Sequence, residues 1–197
     1  MRKKDRDCYA ELMWEARLRL EVLSNFMNGA ADATYLQTNI ESMCLQLRKL
    51  LELLAFSSLV SNRQAYEAVR ADIAKDWHAV RILKKLETIN PDFYPQPVRG
   101  TSGGKWRKLR GGFLTRKQFG RLYDDCGEIL HVPNPLRKRK SVMAFYRKIP
   151  DYVSRLEALL IEHVAVLATT GEMVWARVPI DRKQPVLVSH LVRESNS

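Results

Sequence analysis

Ile40-Glu41-Ser42-Met43-Cys44-Leu45-Gln46-Leu47-Arg48-Lys49-Leu50-Leu51-Glu52-Leu53-Leu54 is the stretch that decides the fold class. Ile40, Met43, Cys44, Leu47, Leu50, Leu51, Leu54 and, further on, Leu59 recur at three- and four-residue spacing, the period of one helix face. The apolar face is broader than a single stripe. That breadth predicts a helix from about Asp32 to Ser61 at the centre of a bundle, buried on more than one side.

Working outward, Tyr9, Leu12, Ala16, Leu20, Leu23 and Phe26 make one stripe on a helix from about Arg6 to Asn28, with Gly29 as its C-terminal stop. Downstream, Tyr66, Val69, Ile73, Trp77, Val80, Leu83 and Leu86 predict a third helix from Asn62 to Ile89, stopped by Asn90-Pro91. Pro91 to Gly112 then lose all periodicity and read as a long surface loop rich in Pro, Gly, Lys and Arg. Its glycines lack the Gly-Lys-Ser/Thr ending of a phosphate-binding loop. Thr115 and Gln118 form the ends of a capping box, which starts a fourth helix carrying Phe119, Leu122, Tyr123, Cys126 and Ile129 and ending near His131. Val153, Leu156, Leu160, Val164 and Leu167 predict a fifth helix from after Pro150 to Ala168, capped by Gly171. Met173–Val178 and Val186–Leu191 change to a β-rich pattern and read as a small hairpin. The expected fold is therefore mostly α: a bundle of about five helices over residues 1–170, then a C-terminal β-hairpin and frayed tail over 171–197.

Composition narrows the function classes. No apolar run is long enough for a bilayer, so no membrane partner is expected. The basic N-terminus has no apolar segment behind it, unlike a secretory signal. Cys8, Cys44 and Cys126 are widely spaced and form no Cys-x-x-Cys pair, which argues against a zinc site or a disulfide framework and for a reduced, cytoplasmic setting. No cofactor and no metal are expected. The net charge of +11 is informative through its placement. Residues 99–148 hold 14 Lys and Arg against three acids, whereas the other 147 residues balance 19 bases with 19 acids. A quarter of the chain thus carries the whole excess, and such a field attracts RNA or another polyanion. A solvated face that only keeps the protein soluble is the bland alternative.

The candidate binding residues follow from that map. Arg99, Lys105, Trp106, Arg107, Lys108 and Arg110 lie in the Pro/Gly-rich loop, and Arg137, Lys138, Arg139 and Lys140 form a second basic run. Trp106 is placed either to stack on a base or to pin its loop to the bundle, while Trp175 is expected to cover the core under the hairpin. Arg48 and Glu52 stand four residues apart among leucines, and so must find water, each other or a buried network. They read either as an active-site pair facing RNA or as a structural pair, an internal clamp or an ordinary surface ion pair. His131 closes the fourth helix after Asp124, Asp125 and Glu128, where it is placed for proton transfer or simply to complement the helix dipole. His78, His163 and His190 show no metal-binding spacing.

Leu47-Arg48-Lys49-Leu50-Leu51-Glu52-Leu53-Leu54-Ala55-Phe56 and Leu122-Tyr123-Asp124-Asp125-Cys126-Gly127-Glu128-Ile129-Leu130-His131 together resemble the HEPN superfamily of bacterial helical domains. The resemblance implies a bundle of four or five helices, a homodimer, and RNA as ligand, which many members cleave without a metal. The family's signature is an Arg followed four to six residues later by His. His131 matches the His, but Asp124, Asp125 and Cys126 hold no Arg, and Arg121 stands ten residues away. In the enzymatic version His131 would move a proton at the scissile phosphate while Arg48 and the basic loop hold the backbone. The second reading is a non-catalytic bundle whose basic face docks an acidic protein partner in a regulatory or phage-defence assembly.

Overall fold

The computed structural model describes residues 1–70, 72–100, 106–132, 136 and 141–192. Two long helices open the chain, α1 (Lys3–Met27) and α2 (Leu36–Ser61), and they form the largest helix–helix contact. Between them Gly29 adopts φ 78°, a left-handed turn that a side chain would strain. A third helix unbroken from Asn62 to Ile89 is not what the chain forms. It divides into α3 (Arg63–Val69), a single 3-10 turn (Ile73–Lys75) and α4 (Ala79–Ile89). The Asp76 carboxylate accepts from Tyr66 Oη at 2.7 Å and Arg70 Nε at 2.8 Å, which ties the non-helical link back onto α3.

The region expected as an irregular loop contains two strands, β1 (Gln96–Gly100) and β2 (Trp106–Lys108). Helix α5 (Arg116–Leu130) follows with the predicted capping box in place: Thr115 Oγ1 accepts from Gln118 N at 3.3 Å, and Gln118 Oε1 accepts from Thr115 N at 2.9 Å. The short α6 (Val142–Tyr146) leads into α7 (Ile149–Leu160). The fifth helix therefore stops eight residues before its expected end, and the β-branched run after it becomes β3 (Glu162–Val166). The strands β4 (Met173–Arg177) and β5 (Leu187–Leu191) complete a wholly antiparallel sheet in the order β2-β1-β3-β4-β5. Mostly α is the right class, but the expected C-terminal hairpin is one part of a five-stranded sheet.

The helices lie against one face of this sheet. His163, Ala165, Val174 and Ala176 share that face by register and are buried. Tyr9 on α1 reaches His163 across it: the Tyr9 hydroxyl lies 2.7 Å from Nε2, while Nδ1 lies 3.1 Å from the Leu160 carbonyl. A carbonyl can only accept, so Nδ1 carries the proton and Nε2 accepts from the tyrosine. Burial pushes the His163 pKa down from 6.5 to about 4 and the Tyr9 pKa up. A second polar tie holds the other end of β3. The Asn62 side-chain oxygen accepts from Asn90 Nδ2 and Ala168 N, both at 3.0 Å, and Asn90 Nδ2 also donates to the Val166 carbonyl at 2.8 Å. Arg17, almost wholly buried on α1, donates to the carbonyls of Pro179, Asp181 and Gln184 and so clips the β4–β5 connection to the helical layer.

Candidate nucleic-acid interface

The opposite face of the sheet has its own arrangement. Antiparallel partners point to the same side, and side chains alternate along each strand. Gly100 pairs with Trp106, Val98 with Lys108, Gln96 with Val164, and Val164 with Trp175. Trp106, Lys108, Val98, Val164, Trp175 and, two residues on, Arg177 therefore stand on one face, away from His163 and the helices. β2 and β4 are three strand spacings apart, about 14 Å. Their two indoles lean toward each other over the intervening strands until the ring centroids are 6.4 Å apart and the planes within 7°. Beneath them Val98 and Val164 are buried, though they point away from the helical core. Trp175 Nε1 donates to Glu162 Oε1 at 3.1 Å, which fixes one indole, while Trp106 keeps 42% of its surface exposed.

Trp175 thus does not cover the core beneath a hairpin; it lies on the sheet face turned from the helices. Trp106 does not pin its segment to the helical bundle; it stacks on Trp175 across the sheet and still offers indole to solvent. Arg99 and Arg107, directly paired across β1 and β2, project to the other side of this edge. With Trp106, Lys108, Leu109 and Arg110 they line an open concavity of about 1110 Å³. Arg99, Arg107, Lys108 and Arg110 are all exposed, and no carboxylate among the described residues pairs with any of them. Four cations and an exposed indole around one hollow can hold phosphates and offer a stacking surface to a base. Lys105 and the second basic run, Arg137, Lys138, Arg139 and Lys140, lie outside the described residues. Arg177 was missed in the sequence, although the alternation Met173-Val174-Trp175-Ala176-Arg177 puts it on the same face as Trp175.

The candidate catalytic residues are arranged differently. Arg48 and Glu52 form a partly buried ion pair at 3.4 Å, with Lys49 also 3.4 Å from Glu52. Arg48 donates from Nη2 to Tyr123 Oη at 2.6 Å, its guanidinium lies 3.8 Å from that ring's centroid, and the Tyr123 hydroxyl donates to Glu52 Oε1 at 3.3 Å. Burial first, then the Glu52 and Asp124 carboxylates, push the Tyr123 pKa up against the lowering effect of Arg48. This cluster locks α2 to α5, with the His78 ring tilted against Tyr123 at 5.4 Å between centroids. Gly127 makes room for it, since a Cβ there would stand 3.0 Å from Arg48 Nη1. His131 is the exposed residue that closes α5, and no hydrogen bond or ion pair among the described residues joins it to Arg48 or Glu52. Among the described residues no three His, Cys, Asp or Glu side chains converge on a metal position, and no helix is long and apolar enough to cross a membrane. No family model matches the chain, and neither curated proteins nor solved structures give a match.

Proposed function

We propose that this chain is a nucleic-acid-binding protein, HEPN-like in its helical layer, which holds a phosphate backbone along the β1–β2 edge of its sheet. The observation that carries the reading is the set of four exposed cations, Arg99, Arg107, Lys108 and Arg110, around one concavity with no acidic partner among the described residues. A surface built only for solubility has no need to gather its charge around a hollow or to set an exposed tryptophan within it. The HEPN resemblance favours RNA over DNA. Binding is better supported than cleavage, because Arg48 is engaged by Tyr123 and Glu52 and no Arg stands four to six residues before His131.

Replacing Arg99, Arg107, Lys108 and Arg110 together with Gln tests the proposal. Each phosphate contact contributes a fixed release of counterions, so the slope of log affinity against log salt should flatten by about 3 for a single strand. The measurement is fluorescence anisotropy of labelled RNA across a salt series, with a denaturing gel of the same samples to read cleavage. Equal slopes for the two proteins would refute the proposal. Preferred binding of an acidic polypeptide such as polyglutamate, with weak binding of RNA, would turn the same edge into a protein-docking site.

A further inference from the structure

The indole pair gives the site a preference that charge alone cannot supply. A duplex presents phosphates but keeps its bases stacked and paired, so an exposed aromatic surface gains little from it. A single strand offers free base faces, and stacking on an aromatic side chain contributes about 1–3 kcal/mol per base whatever its identity. Trp106 presents that surface in a form already ordered. One side of its indole is turned to Trp175, whose own ring is fixed by Glu162, so a base stacking on the other side need not freeze a loose side chain. Lys108 stands on the same face two residues along β2, and Arg177 on the same face two residues beyond Trp175. By register Lys108 and Arg177 stand in one cross-strand row, Lys108 on the edge strand and Arg177 beside the Glu162 carboxylate, so each indole has one cation next to it along its own strand, where a backbone phosphate can be met.

We infer that the sheet face carrying Trp106 and Trp175 is a binding platform for single-stranded nucleic acid, with a base stacked on Trp106 and phosphates held by Lys108 and Arg177. This rests on the nucleic-acid reading of the basic edge and narrows it to unpaired strands. Selection is by strandedness, not by base sequence, because no hydrogen-bonding side chain is needed to recognise a π-face.

The test compares a labelled oligouridine with an RNA duplex of equal length, using wild type, Trp106→Ala, Trp106→Phe and Arg177→Gln. Wild type should bind the oligouridine more tightly than the duplex at matched salt. Trp106→Ala should weaken oligouridine binding about 10-fold and duplex binding much less, while Trp106→Phe retains most of the affinity. Arg177→Gln should lower the salt slope for the single strand by about 0.7. Thermal melts of each variant separate loss of the platform from loss of the sheet, and Trp106→Phe keeps the test valid if the alanine variant fails to fold. Equal affinity for both forms, or unchanged oligouridine binding in a folded Trp106→Ala, would overturn this inference while leaving the basic edge intact. Absence of salt-dependent binding to either form would overturn both.

Discussion

Acidification should loosen the joint between α1 and the sheet through His163, and the size of the effect follows from its surroundings. The imidazole is fully buried, holds its single proton toward the Leu160 carbonyl and accepts from Tyr9. Protonating Nε2 would put a charge in the core, and this loss of solvation outweighs the favourable hydrogen bond to the Leu160 carbonyl, which is why the folded pKa lies at about 4 against 6.5 for the free side chain. As the pH falls, the unfolded chain takes up this proton first. The stabilisation is therefore complete above about 6.5 and is lost progressively as the pH falls toward about 4. Linkage over those two values gives a loss of about 2 kcal/mol between pH 7 and pH 5, and somewhat more than 3 kcal/mol by the time both forms are protonated. His163→Gln keeps a donor for Leu160 and an acceptor for Tyr9 but cannot titrate. Urea unfolding at pH 7 and pH 5 should show wild type losing about 2 kcal/mol more than the variant across that interval. Carboxylates elsewhere contribute equally to both proteins and cancel in the comparison. Parallel pH profiles for wild type and His163→Gln would refute the buried, neutral tautomer and with it the pairing to Tyr9.

The Arg48–Glu52–Tyr123 cluster should behave as a clamp: Glu52→Ala should cost about 2 kcal/mol in chemical denaturation, because it leaves Arg48 half-buried without its carboxylate. A change under about 0.5 kcal/mol would show the pair to be an ordinary surface contact. Gly127→Ala should be neutral to destabilising despite the gain of about 1 kcal/mol that alanine brings to a helix, since its Cβ meets Arg48 Nη1 at 3.0 Å. The same substitution should become stabilising in an Arg48→Met background, and additivity in that double-mutant cycle would refute the contact. His131→Ala should leave stability within about 0.5 kcal/mol and leave RNA affinity unchanged. Should wild type shorten RNA in the gel, the variant should lose about 100-fold in rate and EDTA should have no effect, and full activity in the variant would remove His131 from the chemistry.

The helices legible in the sequence are those whose period and punctuation agree. α1 and α5 each combine an unbroken apolar stripe with a local stop or cap, Gly29 and the Thr115–Gln118 box, α2 has the broadest apolar face, and the ends of all three fall within a few residues of expectation. The third helix is overextended in the sequence reading because Val69 and Trp77 keep helical spacing without being core residues: Val69 is 60% and Trp77 68% exposed. Their link is shaped by Asp76 reaching back to Tyr66 and Arg70, a tertiary contact that no period records. The fifth helix was overextended for a different reason. Val164 and Leu167 continue the helical register, yet Val164-Ala165-Val166 is also a short apolar run of the kind a buried strand uses, and pairing with β1 and β4 decides for the strand.

The concealed strands explain why only part of the proposed binding surface is legible in the sequence. β1 contains Pro97, and β2 is three residues of Trp, Arg and Lys, so neither has the apolar alternation by which strands are recognised. Charge on an edge strand protects it from pairing with another chain, and the same charge disguised β2 as loop. The basic residues could be named from the sequence because charge is visible without a fold; their geometry could not. Two tryptophans 69 positions apart become neighbours only because β1 and β3 pair between them, and β1 pairs with β3 only once α5, α6 and α7 have returned the chain to the sheet. The helical layer, where the sequence placed its catalytic candidates, thus serves to hold the sheet in shape. Tyr9, Asn62 and Arg17 each reach from a helix or helix end to the strands or their connections, and the face left uncovered is the one that carries Trp106, Trp175, Lys108 and Arg177.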